Sequence, residues 1–288
     1  MAPAITVGCN RPPLLTVPSA TVLCAVVFLH APGQAAEAPL WVAGFGIGVL
    51  GYSDYRGADS THVFPVPVPY FEYNGPFLKA DQEGLHGSLF KQPWVELNLS
   101  ADATMPVSND RTRNGMTQLK PTVEAGISLD FHLWRSEDSR IKLDLRVPVR
   151  EAFTLQAPPQ AIGVTLTPGF RLTIADPLGY GGWKAGIYTG PLFANGRYNN
   201  YFYSVAPQNA TASRPAYQSE SGYAGTQLVF DLSKRFPKYW IGAFVRFDTL
   251  AGAVFADSPL VQDERYWAAG FVFAWMIGRS SQMVEVSN

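Results

Sequence analysis

The strongest constraint on this chain is a ten-residue stretch in which apolar and polar residues alternate without a slip. Ile141, Leu143, Leu145, Val147 and Val149 are interleaved with Lys142, Asp144, Arg146, Pro148 and Arg150. Successive side chains of a strand point to opposite faces, so this pattern is a strand with one apolar and one polar side. Two more stretches repeat it. Val95, Leu97, Leu99, Ala101 and Ala103 alternate with Glu96, Asn98, Ser100, Asp102 and Thr104, and Ile127, Leu129, Phe131 and Leu133 with Ser128, Asp130 and His132.

Alternation alone also suits a soluble sandwich. Three features favour a membrane barrel. The strands are long: weaker ones are expected at residues 41–52, 66–73, 77–90, 164–174, 183–193, 198–205, 221–232, 239–249 and 265–276, many near the roughly 9 to 11 residues a tilted membrane strand needs. Aromatic residues fall near their ends (Trp41, Tyr52, Tyr70, Tyr73, Trp134, Tyr239, Trp240, Trp267 and Trp275), where interface girdles belong. Charged residues are only 16% of the chain, below the roughly 25% of soluble domains. No stretch after Pro39 holds the roughly 18 consecutive apolar residues of a helical span, and no segment shows a capped apolar stripe at helical spacing. The expected fold is all-β: an antiparallel transmembrane β-barrel of about twelve strands (10 to 12).

Residues 1–38 read as a cleaved signal peptide, with Arg11 as the basic residue and a broken apolar stretch over residues 14–29. Small residues place cleavage after Ala35 or Ala38, leaving 39–288 as one barrel domain. Cys9 and Cys24 both lie in that leader, so no disulfide framework is expected in the barrel. A formal net charge of -1 offers no field for nucleic acid.

Proline cannot donate to a ladder, so Pro65, Pro67 and Pro69 put every missing donor on one side of a strand. An edge, a bulged strand or an extended segment over the barrel is expected there. Gly44-Phe45-Gly46-Ile47-Gly48 imitates a dinucleotide turn but sits inside a strand pattern, where small residues permit curvature. Ser128, Asp130 and His132 share one strand face. Alternate residues stand roughly 7 Å apart, too far for a hydrogen-bonded triad without partners from neighbouring strands, and a polar lumen face is the plainer reading. His62, His86 and His132 are scattered, so no metal or other cofactor is expected. Arg113-Asn114-Gly115-Met116 reads as a turn, Asn-Gly supplying positive φ. Glu124, Asp130, His132, Lys142, Asp144, Arg146 and Arg150 are the polar candidates for the lumen, lining a pore or filling it with mutual ion pairs.

Several segments together resemble the MipA/OmpV family, the MltA-interacting protein type of outer-membrane protein. They are Gly51-Tyr52-Ser53-Asp54-Tyr55-Arg56-Gly57-Ala58-Asp59 with Pro65-Val66-Pro67-Val68-Pro69-Tyr70, and Met105-Pro106-Val107 with Arg113-Asn114-Gly115-Met116, Leu119, Pro121 and Glu124-Ala125-Gly126. Gly190-Pro191-Leu192-Phe193-Ala194, Tyr201-Phe202-Tyr203 and Arg214-Pro215-Ala216-Tyr217 follow, then Gly222-Tyr223-Ala224-Gly225 and Phe255-Ala256-Asp257-Ser258-Pro259-Leu260-Val261. The resemblance implies a barrel in the outer membrane, with lipid around it. It also implies a scaffold linking a lytic transglycosylase to a murein synthase, or a role in permeability and stress, for which a small porin is the alternative. It carries no catalytic residue. The chain departs from many barrels in its tail: Trp275 is followed by thirteen residues, through Asn288, that form a short extra strand over 283–286 or hang free.

Overall fold

The computed structural model describes residues 36–75, 78–81, 84–87, 90–104 and 111–286; the expected leader up to Ala35 lies outside them. Sixteen strands follow one another: β1 (Ala36–Pro39), β2 (Trp41–Ser53), β3 (Thr61–Asn74), β4 (Leu78–Asp81), β5 (Gly84–Gly87), β6 (Phe90–Gln92), β7 (Val95–Thr104) and β8 (Thr122–Arg135). Then come β9 (Ile141–Thr154), β10 (Ala161–Leu166), β11 (Gly169–Ala175), β12 (Trp183–Ala194), β13 (Gly222–Arg235), β14 (Tyr239–Thr249), β15 (Arg265–Arg279) and β16 (Met283–Val286). A single α-helix among the described residues, α1 (Gly196–Tyr203), lies between β12 and β13.

Fourteen of the strands form one antiparallel sheet, β5-β4-β3-β2-β15-β14-β13-β12-β10-β9-β8-β7-β6, with β11 between β9 and β12. The two ends of this order are consecutive pieces of chain, and β5 and β6 both lie against β7, so the sheet closes into a ring through β4, β5 and β6. Counting β5 with β6 and β10 with β11 as single interrupted staves, the fourteen strands make twelve staves. Closure is what lipid demands, because an open ladder would leave backbone groups unpaired in hydrocarbon. Thr167 and Pro168 break the stave made of β10 and β11, Pro168 having no N–H to give.

Burial follows the alternation. On β8, Thr122, Glu124, Ser128 and Asp130 are buried while Ala125, Ile127, Leu129 and Leu133 are exposed. The same split on β2 exposes Phe45, Ile47 and Val49 and turns Gly44, Gly46 and Gly48 inward. These glycines are curvature devices. A Cβ on Gly46 would stand 2.6 Å from the Phe273 carbonyl oxygen, and one on Gly44 would collide with that of Trp275. Not all the aromatics form girdles. Trp41, Trp134, Trp267 and Trp275 face outward, but Tyr52 and Tyr70 are buried, and Trp240 packs inward with its ring 5.8 Å from that of Tyr70.

Three expectations are corrected. Residues 198–205, expected as one of the weaker strands, form α1 and its exit. Asn195 caps the helix by accepting from Tyr198 N at 3.0 Å, and burial of Phe202 and Tyr203 outweighs β propensity. The strand expected over 77–90 is the short hairpin β4-β5 with β6. The stave expected at 164–174 is broken into two. The proline run proves to be an edge: β3 pairs with β2 along its whole length, Ser53↔Thr61 to Trp41↔Tyr73, but with β4 only at Tyr73 and Asn74. The tail is an extra strand, β16 pairing with β1 from Ala36↔Val286 to Pro39↔Met283.

Candidate functional site in the lumen

One end of the barrel carries short turns and the other the long loops. Loops 54–60, 111–121, 195–221 and 250–264 meet over the barrel in an apolar cap containing Tyr55, Leu119, Phe202, Tyr203, Leu250, Phe255 and Leu260. Tyr203 stacks on Phe255 at 3.6 Å between centroids, and Tyr55 donates its hydroxyl to the Leu260 carbonyl at 2.6 Å. Arg113 donates to the Phe202 carbonyl at 2.7 Å, and Arg214 to the Thr112 carbonyl at 2.7 Å. The Arg113–Met116 segment is a turn, with Gly115 at φ 80, inside one of these loops.

Beneath the cap the lumen is crossed by charged side chains in pairs. Glu124 of β8 accepts from Arg150 Nε of β9 at 3.1 Å, from Thr165 of β10 at 2.9 Å and from the Tyr198 hydroxyl of α1 at 2.8 Å. Arg150 also reaches Ser100 at 3.1 Å and lies 3.8 Å from Asp102, tying β7 to the group. Deeper, Asp130 accepts from Asn98 at 2.9 Å and from Ser128, and stands 3.6 Å from Arg146. His132 Nδ1 lies 2.7 Å from Asp144 and its Nε2 3.8 Å from Glu96. Lys142 lies half-buried on the same face of β9, nearer the turn end.

The expected candidates are thus brought together in sets spanning β7, β8 and β9. Ser128, Asp130 and His132 do not form a relay: Ser128 donates to Asp130, while His132 is held by Asp144 of the neighbouring strand. His62 pairs with Asp54 at 2.7 Å, away from His132.

Two further sets escaped the sequence reading. Asp248, fully buried, lies between Arg56 at 2.6 Å and Arg246 at 2.8 Å. Arg171 holds Asp231 across two strands, with Nη2 2.9 Å from Oδ1. The alternating Val245-Arg246-Phe247-Asp248 carried a signal for the first; nothing local shows that Arg56 folds in from a loop.

A charge out of water is costly unless paired and hydrogen-bonded, and these pairs lock neighbouring staves together. The Tyr198 hydroxyl in the cap is held far above the usual phenol range, first by its burial and then by Glu124, so it stays protonated and donates. Burial likewise raises Tyr203. Among the described residues lie a cavity of about 340 Å³ under the cap and another of about 330 Å³ toward the turns, both bordered by Phe244.

The family model described as MltA-interacting protein MipA matches residues 45–277. The outer membrane protein OmpV of Vibrio cholerae serotype O1 is 24% identical over 71% of this chain and 76% of its own. Omp26La of Vibrio anguillarum, also an outer membrane protein, is 22% identical over the same shares. Among solved structures, an outer membrane channel of Pseudomonas putida F1 covers 86% of this chain and 99% of its own, with 11% identity and a TM-score of 0.40. The match spans most of the barrel and the cap, and the chain belongs to the MltA-interacting protein MipA family of the outer membrane.

Proposed function

We propose that this barrel is an outer-membrane scaffold for cell-wall machinery, holding a lytic transglycosylase and, with it, a murein synthase against the membrane. The family description names MltA as an interaction partner, and the resemblance implies that such a partner is a lytic transglycosylase. The observation that carries the reading is the lumen. Its walls are tied by Glu124–Arg150, Asp130–Arg146 and the Arg56–Asp248–Arg246 set, and the loop end is capped. A barrel of twelve staves lies between the roughly eight at which side chains fill the interior and the roughly sixteen of an open porin, and this one spends its interior on cross-links. In this reading Ser128, Asp130 and His132 support the wall and perform no reaction. Affinity capture from detergent-solubilised membranes of the native host is expected to recover a lytic transglycosylase; repeated recovery of the barrel alone would sink the proposal.

The second reading is a small solute channel, favoured by the two lumenal cavities. Planar-bilayer recordings decide it. The scaffold reading expects no conductance steps from the unaltered barrel.

A further inference from the structure

Among the described strands, the ladder stops short on one side of β3. Along 61–72, β3 has no described partner on the side away from β2, because β4 joins it only at Tyr73 and Asn74. Above the β4-β5 hairpin, no described strand separates β3 from the end of β7. The prolines suit this edge. Opposed residues of an antiparallel ladder alternate between pairs that exchange hydrogen bonds and pairs that do not, and proline fits only the second kind. Pro65, Pro67 and Pro69, opposite Val49, Ile47 and Phe45, therefore turn their backbone polar groups away from β2 toward the opening. Three N–H groups that lipid would leave unpaired are simply missing there. The same prolines cannot donate to an added strand, so a second chain is a poor occupant of this edge.

The cavity under the cap reaches this place. Its lining includes Asp102, Ala103 and Thr104 at the end of β7, and Ala103 lies on the outer, apolar side of that strand. Inside, Leu192, Phe202, Phe244 and Ala268 supply apolar surface, and the hydroxyl-bearing rings of Tyr52 and Tyr266 stand among them. The buried charges that border the space are matched, Arg150 by Glu124 and Asp102, Arg56 and Arg246 by Asp248, and Asp54 by His62, while Lys120 stands exposed at the rim. No free charge of these sets remains to hold an ion. About 340 Å³ is at the lower end of the roughly 300–1,000 Å³ of ligand sites. On the outer face β3 exposes Val63 beside this place, and β2 next to it exposes Ile47 and Val49.

We propose that the cavity beneath the cap binds a small, uncharged, largely apolar molecule bearing a hydrogen-bonding group, such as an aromatic alcohol, which enters sideways from the lipid between β3 and β7. Entry from this side avoids the loop cap, and the site requires no cell-wall partner.

The probe is 1-naphthol, titrated by calorimetry into the full chain purified from outer membranes and placed in lipid nanodiscs, with 1-naphthoate and glucose as comparators and empty nanodiscs as the blank. Saturable binding of 1-naphthol is expected, at least tenfold tighter than either comparator. Ala103→Trp puts a large ring at the mouth and is expected to weaken or slow that binding at least tenfold. Ala269→Trp, also on the exposed outer face but on β15, is expected to leave it unchanged. Heat-modifiable gel mobility of each variant verifies the fold. No saturable binding, equal binding of the anion, or an Ala103→Trp variant that binds as fast and as tightly as the unaltered chain would overturn the proposal. Failure here leaves capture of a transglycosylase untouched, so the two proposals fall separately.

Discussion

On β8 the inward positions hold Glu124, Ser128, Asp130 and His132, whereas on β2 they hold Gly44, Gly46 and Gly48. Both strands run the length of the wall, and both are apolar outside. Their inner faces solve different problems. β8 links to β7, β9 and β10 through side chains, so its neighbours are fixed by buried charge pairs as well as by the ladder. β2 meets β15 through its backbone ladder and apolar contacts, drawn so close that a methyl group at Gly44 has no room. The charged wall resists loss of a partner, and the glycine wall resists gain of an atom.

The comparison can be broken from either side. The largest expected effect is Asp248→Ala, which leaves Arg56 and Arg246 facing each other without their shared carboxylate. Removing one member of a buried ionic set costs about 3–5 kcal/mol, to be read from the urea midpoint of the heat-modifiable band. Next is Gly44→Val. Overpacking costs about 1–3 kcal/mol, and the backbone oxygen of Trp275 can yield little, so a loss near the top of that range is expected. A value at Gly44→Val below that of Gly115→Val, where a Cβ meets nothing and only the positive φ is strained, would refute the curvature argument.

Tyr198→Phe tests the tie between cap and wall. It removes a hydrogen bond to a buried carboxylate, with an expected cost of about 1.5–3 kcal/mol, and hydrogen exchange should quicken in α1 before it does in β8. The smallest effect is on pH. Tyr198 and Tyr203 have raised pKa values in the folded cap, so their contribution is complete below the ordinary phenol value of about 10 and is lost as pH rises above it. Protection of the cap amides should fall above that pH while the strands of the lumen keep theirs.

Much of the charged wall was legible because alternation on β7, β8 and β9 is strict: one parity fixes every inward residue from Glu96 to Asp102, from Glu124 to His132 and from Lys142 to Arg150. The partners were not legible. Which carboxylate meets His132 depends on the register of β8 against β9, which shifts between His132 and Trp134. The role of Arg56 and Tyr198 depends on loops folding back over the lumen, which no periodicity records. α1 was hidden for a related reason: its rings belong to the cap. The girdle expectation failed at Tyr52, Tyr70 and Trp240 because position near a strand end says nothing about which face a ring takes.

The short sheet of β1 and β16 forms a clasp between residues 36–39 and residues 283–286. Residues 36–39 find their partners only at residues 283–286, so the clasp can fasten only after the fourteen strands between them have been made. Donor and acceptor dyes placed beside Ala36 and Val286 would report that moment by energy transfer. It also separates the two expected processing points: a cut after Ala35 leaves all four residues of β1 for the clasp, and a cut after Ala38 leaves Pro39 alone.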